Sequence, residues 1–231
     1  MRDDPDAIML FAAGFGTRMG PLTTHKPKPL IEVAGRTLLD HALKQVDQFS
    51  VSKKVVNCHY FPEQITSHLR SRNDITVLHE ADEILETGGG LKNASTTLGS
   101  GPVFTMNTDA VWHGENPLAV LKDAWKPDEM DALLLCVPRA NAISHAGKGD
   151  FVYGPDHSIS YGPGDVYTGL QIIKTERLSE IRQRSFSLKV LWELLLSDKR
   201  MFGLQYSGTW CDVGSPLGIE LAEKMLGYSR V

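Results

Sequence analysis

The sequence predicts an α/β fold: a doubly wound, mostly parallel sheet with helices on both faces and a small antiparallel extension. Apolar runs of strand length alternate with segments whose apolar residues recur at helical spacing, the pattern of repeated β-α units. A glycine-rich loop follows the first of those runs directly, where an open sheet of this kind receives its ligand. No linker, internal repeat or composition break divides the chain, so 1–231 reads as one domain.

Each element has its own signal. Ala7–Ala12 is a fully buried strand. From Thr37 to Phe49 the residues Leu38, Leu39, Leu43, Val46 and Phe49 share one helical face. Lys54–Cys58 is the second strand, and a helix starts at Pro62, because proline fits the first helical position. Ile75–Leu78 and Val103–Met106 are the third and fourth strands. Asn116 caps a helix that opens with Pro117 and runs to about Lys126. Asp131–Val137 is another buried strand. Between Arg139 and Tyr167 glycine and proline cluster, which predicts loops and an antiparallel extension over one sheet edge, the place for a substrate lid. Val166–Ile173 is a strand, Leu188–Leu196 a helix, and Met201–Tyr206 and Thr209–Val213 short strands. The last helix starts at Pro216 and reaches about Leu226.

Composition excludes several classes. With 42% hydrophobic residues in 231, the chain can bury one core without disulfides or metals, and it is neither disordered nor low-complexity. A net charge of −4 leaves no basic stripe for a nucleic-acid backbone. Cys58, Cys136 and Cys211 form no CxxC pair and lie in apolar runs, which predicts buried thiols in a reducing cytoplasm. The acidic N-terminal segment and the short apolar run after it predict neither a signal peptide nor a membrane span. The eight histidines show no paired spacing that suggests zinc.

Chemistry concentrates in four motifs. The first is Ala12-Ala13-Gly14-Phe15-Gly16-Thr17-Arg18-Met19, followed by Lys26-Pro27-Lys28-Pro29-Leu30. Glycines after a buried strand let backbone N–H groups approach a phosphate chain. Met19 stands where a G-x-G-x-x-G fingerprint needs its third glycine, and no G-K-[ST] follows, so the dinucleotide and Walker A readings both fail. What remains is an anion nest with two cations, Arg18 and Lys28. Pro27 and Pro29 stiffen the backbone around Lys28, which a merely solvated lysine does not need. Such a pair suits a triphosphate and a developing pyrophosphate leaving group. The second motif, Glu86-Thr87-Gly88-Gly89-Gly90-Leu91, opens a helical stretch with three glycines. Beside the first motif it reads as bare backbone against a base or ribose. The third, Asn107-Thr108-Asp109, ends a strand at the sheet edge that binds ligands, and the fourth, Trp210-Cys211-Asp212-Val213-Gly214, supplies a second carboxylate. Two such aspartates suit one Mg²⁺ bridging phosphate oxygens.

These motifs resemble the signature of the sugar-1-phosphate nucleotidylyltransferases, G-x-G-x-R followed at a distance by lysine. The resemblance spans nearly the whole chain and includes Gly149-Asp150-Phe151 and Thr168-Gly169. It implies a Rossmann-like, nucleotidyltransferase-type catalytic domain without a C-terminal β-helix. It also implies a nucleoside triphosphate and a sugar 1-phosphate as substrates, Mg²⁺ as cofactor, a cytoplasmic monomer or small homo-oligomer, and no nucleic-acid or membrane partner. By the same resemblance Arg18 and Lys28 are catalytic and hold the phosphates. Ala12, Ala13 and Gly14 contact base and ribose, with Gly16, Thr17, Glu86, Gly88 and Asn107 around the nucleotide and Gly89 in the base pocket. Asp109 and Asp212 hold Mg²⁺, and Asp150 binds the sugar with Thr168 and Gly169. Within the family, E-T-G-G-G and G-D-F point to UTP and N-acetylmuramate α-1-phosphate in peptidoglycan recycling. Mannose 1-phosphate with GTP, and glucose 1-phosphate with UTP or dTTP, are the alternatives. An inactive nucleotide-sugar sensor is the non-enzyme reading, which the intact cations and carboxylates argue against. Thr108 stands for the glycine of the usual N-G-D, so a side chain is expected to crowd the metal loop. Phe11 and Phe15 replace the commoner Leu and Lys or Glu.

Overall fold

The computed structural model describes residues 3–228, so the ends of the predicted domain, 1–2 and 229–231, lie outside the described residues. In chain order the elements are β1 (Ala7–Phe11), β2 (Glu32–Val33), β3 (Arg36–Thr37), α1 (Leu38–Asp47), β4 (Lys53–Cys58), α2 (Pro62–His68), β5 (Ile75–His79) and α3 (Glu86–Leu98). They continue with β6 (Val103–Asn107), β7 (Ala110–His113), α4 (Pro117–Ala124), β8 (Ala132–Val137), β9 (Ala142–Ile143), β10 (Phe151–Tyr153), β11 (Ile159–Tyr161) and β12 (Val166–Ile173). The chain closes with α5 (Lys189–Ser197), β13 (Met201–Gln205), β14 (Thr209–Asp212) and α6 (Pro216–Met225). The sequence-predicted elements are present with small shifts at their ends, whereas the short strands β2, β3 and β7 are not among those the sequence predicts.

Local chemistry explains the helix starts. The Thr37 hydroxyl accepts the Asp40 N–H at 3.1 Å and caps α1, whose Leu38, Leu39, Ala42, Leu43 and Val46 face inward. Asn116 Oδ1 accepts the N–H groups of Leu118 and Ala119 ahead of α4, with Pro117 at the first position as expected.

The central sheet has seven strands in the order β13-β8-β12-β6-β1-β4-β5. Neighbours pair in parallel except β12, which runs antiparallel to both β6 and β8. The sheet is therefore mostly parallel with one reversed strand in its interior. The chain between β8 and β12 is short strands and turns, and a parallel return needs a crossover, usually a helix. Side-chain alternation along β1 splits the core. Ile8 and Leu10 face α1, α2 and α4, while Ala7 and Met9 face α3 and α5. A third cluster of Met19, Val33, Val111, Cys211, Val213 and Ile219 seats α6 on a small sheet of β7, β14 and β9. The three cysteines are buried and free, as expected. The β10–β11 hairpin lies along the edge strand β13 through a Ser158–Phe202 bridge, so the antiparallel extension is where the sequence places it. Among the described residues no helix is long and apolar enough to cross a membrane.

Candidate active site

Phe11, at the end of β1, is level with Asn57 of β4 and Asn107 of β6. The loops that leave these strands therefore open on one edge of the sheet. There a cavity of about 300 Å³ is lined by Ala12, Ala13, Gly14, Gly16, Thr17, Arg18, Lys28, Asn107 and Asp109. The sequence had singled out each of these. Phe11, Pro29, Thr87, Thr108 and Gly214 complete the lining. A wider, shallower groove of about 650 Å³ runs beside α1, but Asp47 and Arg72 in its wall are paired with each other.

Gly16 adopts the left-handed conformation (φ 65°), and a Cβ there would lie 2.7 Å from the Lys28 Cβ. Glycine thus lets the loop lie directly on the lysine stem. Lys28 is only 8% exposed, and its ammonium donates to Asp109 Oδ2 at 2.8 Å. A charge this buried requires such a partner. Arg18 is the opposite case: its side chain is 71% exposed and its guanidinium stands 4.0 Å from Asp212 Oδ2. The Val213 N–H donates to the Asp109 carbonyl at 2.9 Å, which stitches the two carboxylate-bearing segments together. Burial and the charge of Asp109 push the Asp212 carboxyl above the ordinary value, against Lys28, Arg18 and His145. The two carboxylates therefore feel one another. Among the described residues no group of three or more His, Cys, Asp or Glu could hold a metal. Asp109 and Asp212 are hard oxygen donors, the donor chemistry that would suit a divalent cation.

Thr108 corrects an expectation. Its side chain is buried and its hydroxyl donates to the Phe11 carbonyl at 2.8 Å, so it ties the 107–109 loop to β1 instead of crowding it. The glycines of the second motif also have a different reason from the one expected. The N–H groups of Gly88 and Gly89 donate to the Phe186 carbonyl at 2.9 and 3.0 Å. A Cβ at Gly88 would sit 2.4 Å from the Phe186 ring, and one at Gly89 2.3 Å from the Arg184 carbonyl oxygen. These residues admit the 184–186 segment, and neither lines the cavity; their neighbour Thr87 does. Glu86 is exposed with φ 58°, an unusual conformation for a residue with a side chain.

The predicted sugar-binding residues are spread. Asp150 Oδ2 accepts the Tyr167 N–H at 2.9 Å at the start of the β10–β11 extension. The Thr168 hydroxyl is turned into the core, donating to the Leu135 carbonyl at 2.6 Å. Gly169 lies against Asn107, since a Cβ there would be 2.6 Å from the Asn107 side-chain nitrogen. The sequence reading passed over Asn57 and Glu80. Both are buried behind the cavity, and the one signal was a lone amide in the apolar run Val55-Val56-Asn57-Cys58.

Residues 8–180 match the family model of the MobA-like NTP transferase domain. The chain is 37% identical to N-acetylmuramate alpha-1-phosphate uridylyltransferase of Caulobacter vibrioides, over 98% of this chain and 99% of that protein. It is 28% identical to a probable mannose-1-phosphate guanylyltransferase of Oryza sativa, over 90% of this chain and 61% of that protein. In structure it is similar to a putative glucose-1-phosphate thymidylyltransferase from Bacillus anthracis, with a TM-score of 0.80 at 15% identity over 97% of this chain and 96% of that one.

Proposed function

The chain belongs to the MobA-like NTP transferase family, and we propose that within it the protein transfers UMP from UTP to N-acetylmuramate α-1-phosphate, releasing pyrophosphate. The observation that carries the reaction type is the meeting of Arg18, Lys28 and Asp109 on one cavity at the ligand-binding edge of the sheet. The choice of base and sugar rests on likeness to the Caulobacter enzyme over nearly the full length of both chains.

In this reading a phosphate oxygen of the sugar 1-phosphate attacks the α-phosphorus of UTP in line. The bond from that phosphorus to the β-phosphate oxygen breaks, and pyrophosphate leaves with the electron pair. A phosphate monoester is an adequate nucleophile at neutral pH, so no general base is required. Catalysis reduces to positioning and charge neutralisation. Backbone groups of the loop from Gly14 to Thr17 cradle the phosphates. Lys28 bridges the nucleophile and the α-phosphate, held in place by its prolines and by Asp109. Arg18, free to swing at the rim, receives the leaving pyrophosphate. Asp109 and Asp212 would hold Mg²⁺, which when bound neutralises charge on the phosphate oxygens. Asp150 and Gly169 bound the side from which the sugar approaches.

The test is pyrophosphate release with Mg²⁺ across four nucleoside triphosphates and several sugar 1-phosphates. A signal confined to UTP with N-acetylmuramate α-1-phosphate supports the proposal. A signal with GTP and mannose 1-phosphate, which likeness to the Oryza protein makes the second reading, would keep the mechanism and replace the substrates. Silence from protein that still binds a nucleotide would favour a sensor.

A further inference from the structure

We infer that the buried pair Asn57 and Glu80 is a positioning device that fixes the width of the nucleobase end of the cavity. The inference rests on the nucleotide reading of that cavity. Arg18, Lys28 and Asp109 occupy one part of its lining and draw the phosphates there, while Phe11, Ala12, Ala13 and Thr87 offer an uncharged surface for the base. Ala12 lies on the loop leaving β1 and Thr87 in the first turn of α3, and their spacing must be set by something behind them.

Asn57 and Glu80 span that gap. The Ala12 N–H donates to Asn57 Oδ1 at 2.9 Å, and Asn57 Nδ2 donates to Glu80 Oε1 at 2.7 Å. The Leu85 N–H, two residues before Thr87, donates to Glu80 Oε2 at 2.8 Å. One wall is thus tied to the other through four polar groups in series. Asn57 is 2% exposed and Glu80 3%, so water does not compete for these bonds. The Glu80 backbone is itself anchored, its N–H donating to the Cys58 carbonyl at 2.8 Å while its carbonyl meets His59 Nδ1 at 2.6 Å. Gly90 completes the device: a Cβ there would fall 2.9 Å from Asn57 Nδ2 and 3.0 Å from Glu80 Oε1. The third glycine of the second motif is the space this pair needs.

The polarity of the chain makes the inference testable by exchange. Asn57→Asp sets two carboxylates face to face, and Glu80→Gln turns an amide donor toward the Asn57 amide or the Leu85 N–H. In the double variant the introduced amide donates to the introduced carboxylate, which still accepts from Ala12, and its oxygen accepts from Leu85. Affinities for the four common nucleoside triphosphates and for pyrophosphate, each with Mg²⁺, are measured by calorimetry on wild type and the three variants. Each single variant should lose about tenfold in discrimination between the preferred base and the others while pyrophosphate affinity holds within about twofold, and the double should regain the discrimination. A general loosening of the fold would weaken pyrophosphate in parallel, and that result overturns the inference. So does a double variant no better than the singles, or a wild type that binds all bases alike. If a single variant does not fold, the double still decides. The expected pattern in a protein that transfers nothing to any sugar 1-phosphate would overturn the proposed reaction and leave this inference standing.

Discussion

Lys28 shows how a single residue is readied for chemistry. Its ammonium is buried at the cavity wall, and Asp109, with a third of its side chain exposed, balances the charge. Lys28→Ala removes a preorganised cation from the reacting phosphates, and the expected loss in turnover is on the order of 10²-fold. Asp109 can turn to water, so the melting temperature should fall only by what the lost packing of the buried stem under Gly16 costs. Single-turnover pyrophosphate release read beside a thermal melt checks both, and unchanged turnover would sink the role assigned to Lys28. This residue was legible because two prolines bracket it. Thr108 was not, because a sequence names a side chain without saying which way it turns. Its hydroxyl reaches the Phe11 carbonyl only once β1 and β6 are neighbours.

At the scale of elements, α3 is the instructive case. Three consecutive glycines are poor helix formers, each costing about 1 kcal/mol against alanine. Helix propensity alone therefore predicts that Gly89→Ala stabilises. The packing says otherwise, since the added methyl would lie 2.3 Å from the Arg184 carbonyl oxygen. Backbone cannot yield as a side-chain tip can, and overpacking of this kind costs about 1–3 kcal/mol. The expected result is a net loss of stability, visible as a lower urea midpoint with an unchanged slope. A higher midpoint would mean that the 184–186 segment moves aside freely. That a helical stretch begins at the glycines was readable from the sequence. That they make room for residues about a hundred positions later was not, because the segment they admit carries no pattern that marks it as their partner.

For the whole molecule, charge pairs far from the cavity set the response to acid. Burial raises the Asp47 carboxyl, but bonds from Lys54 and Arg72 outweigh it and leave it below the ordinary value. Arg72 and then Lys54 hold Asp74 well below that value, and these groups join α1, β4 and the start of β5. Burial also raises Asp131 at the other end of the sheet, where Arg200 and Lys174 outweigh it. Each folded value is depressed from 3.8, so the unfolded chain binds protons first as pH falls. The stability these groups contribute is complete above that pH and is lost below it. The shifted groups near α1 are half-exposed, so screening keeps each contribution small. Urea midpoints across pH should stay level near neutrality and drop below about pH 4, less steeply in Arg72→Ala. An equal drop in that variant would remove Arg72 from the account. Asp212 runs the other way, its raised value costing stability near neutral pH in favour of the site.

By itself the sequence determined the α/β order, the two cations of the loop, the two carboxylates and the family they resemble. These depend on local chemistry: periodicity, proline and glycine at fixed offsets, charge beside a nest. Only the tertiary structure decided that β12 runs backwards through the sheet, that the triple glycine receives the 184–186 segment, and that Asn57 and Glu80 tie the loop leaving β1 to the start of α3. Those features are contacts between residues distant in sequence, and their physical cause, the closeness of two surfaces, exists only after folding.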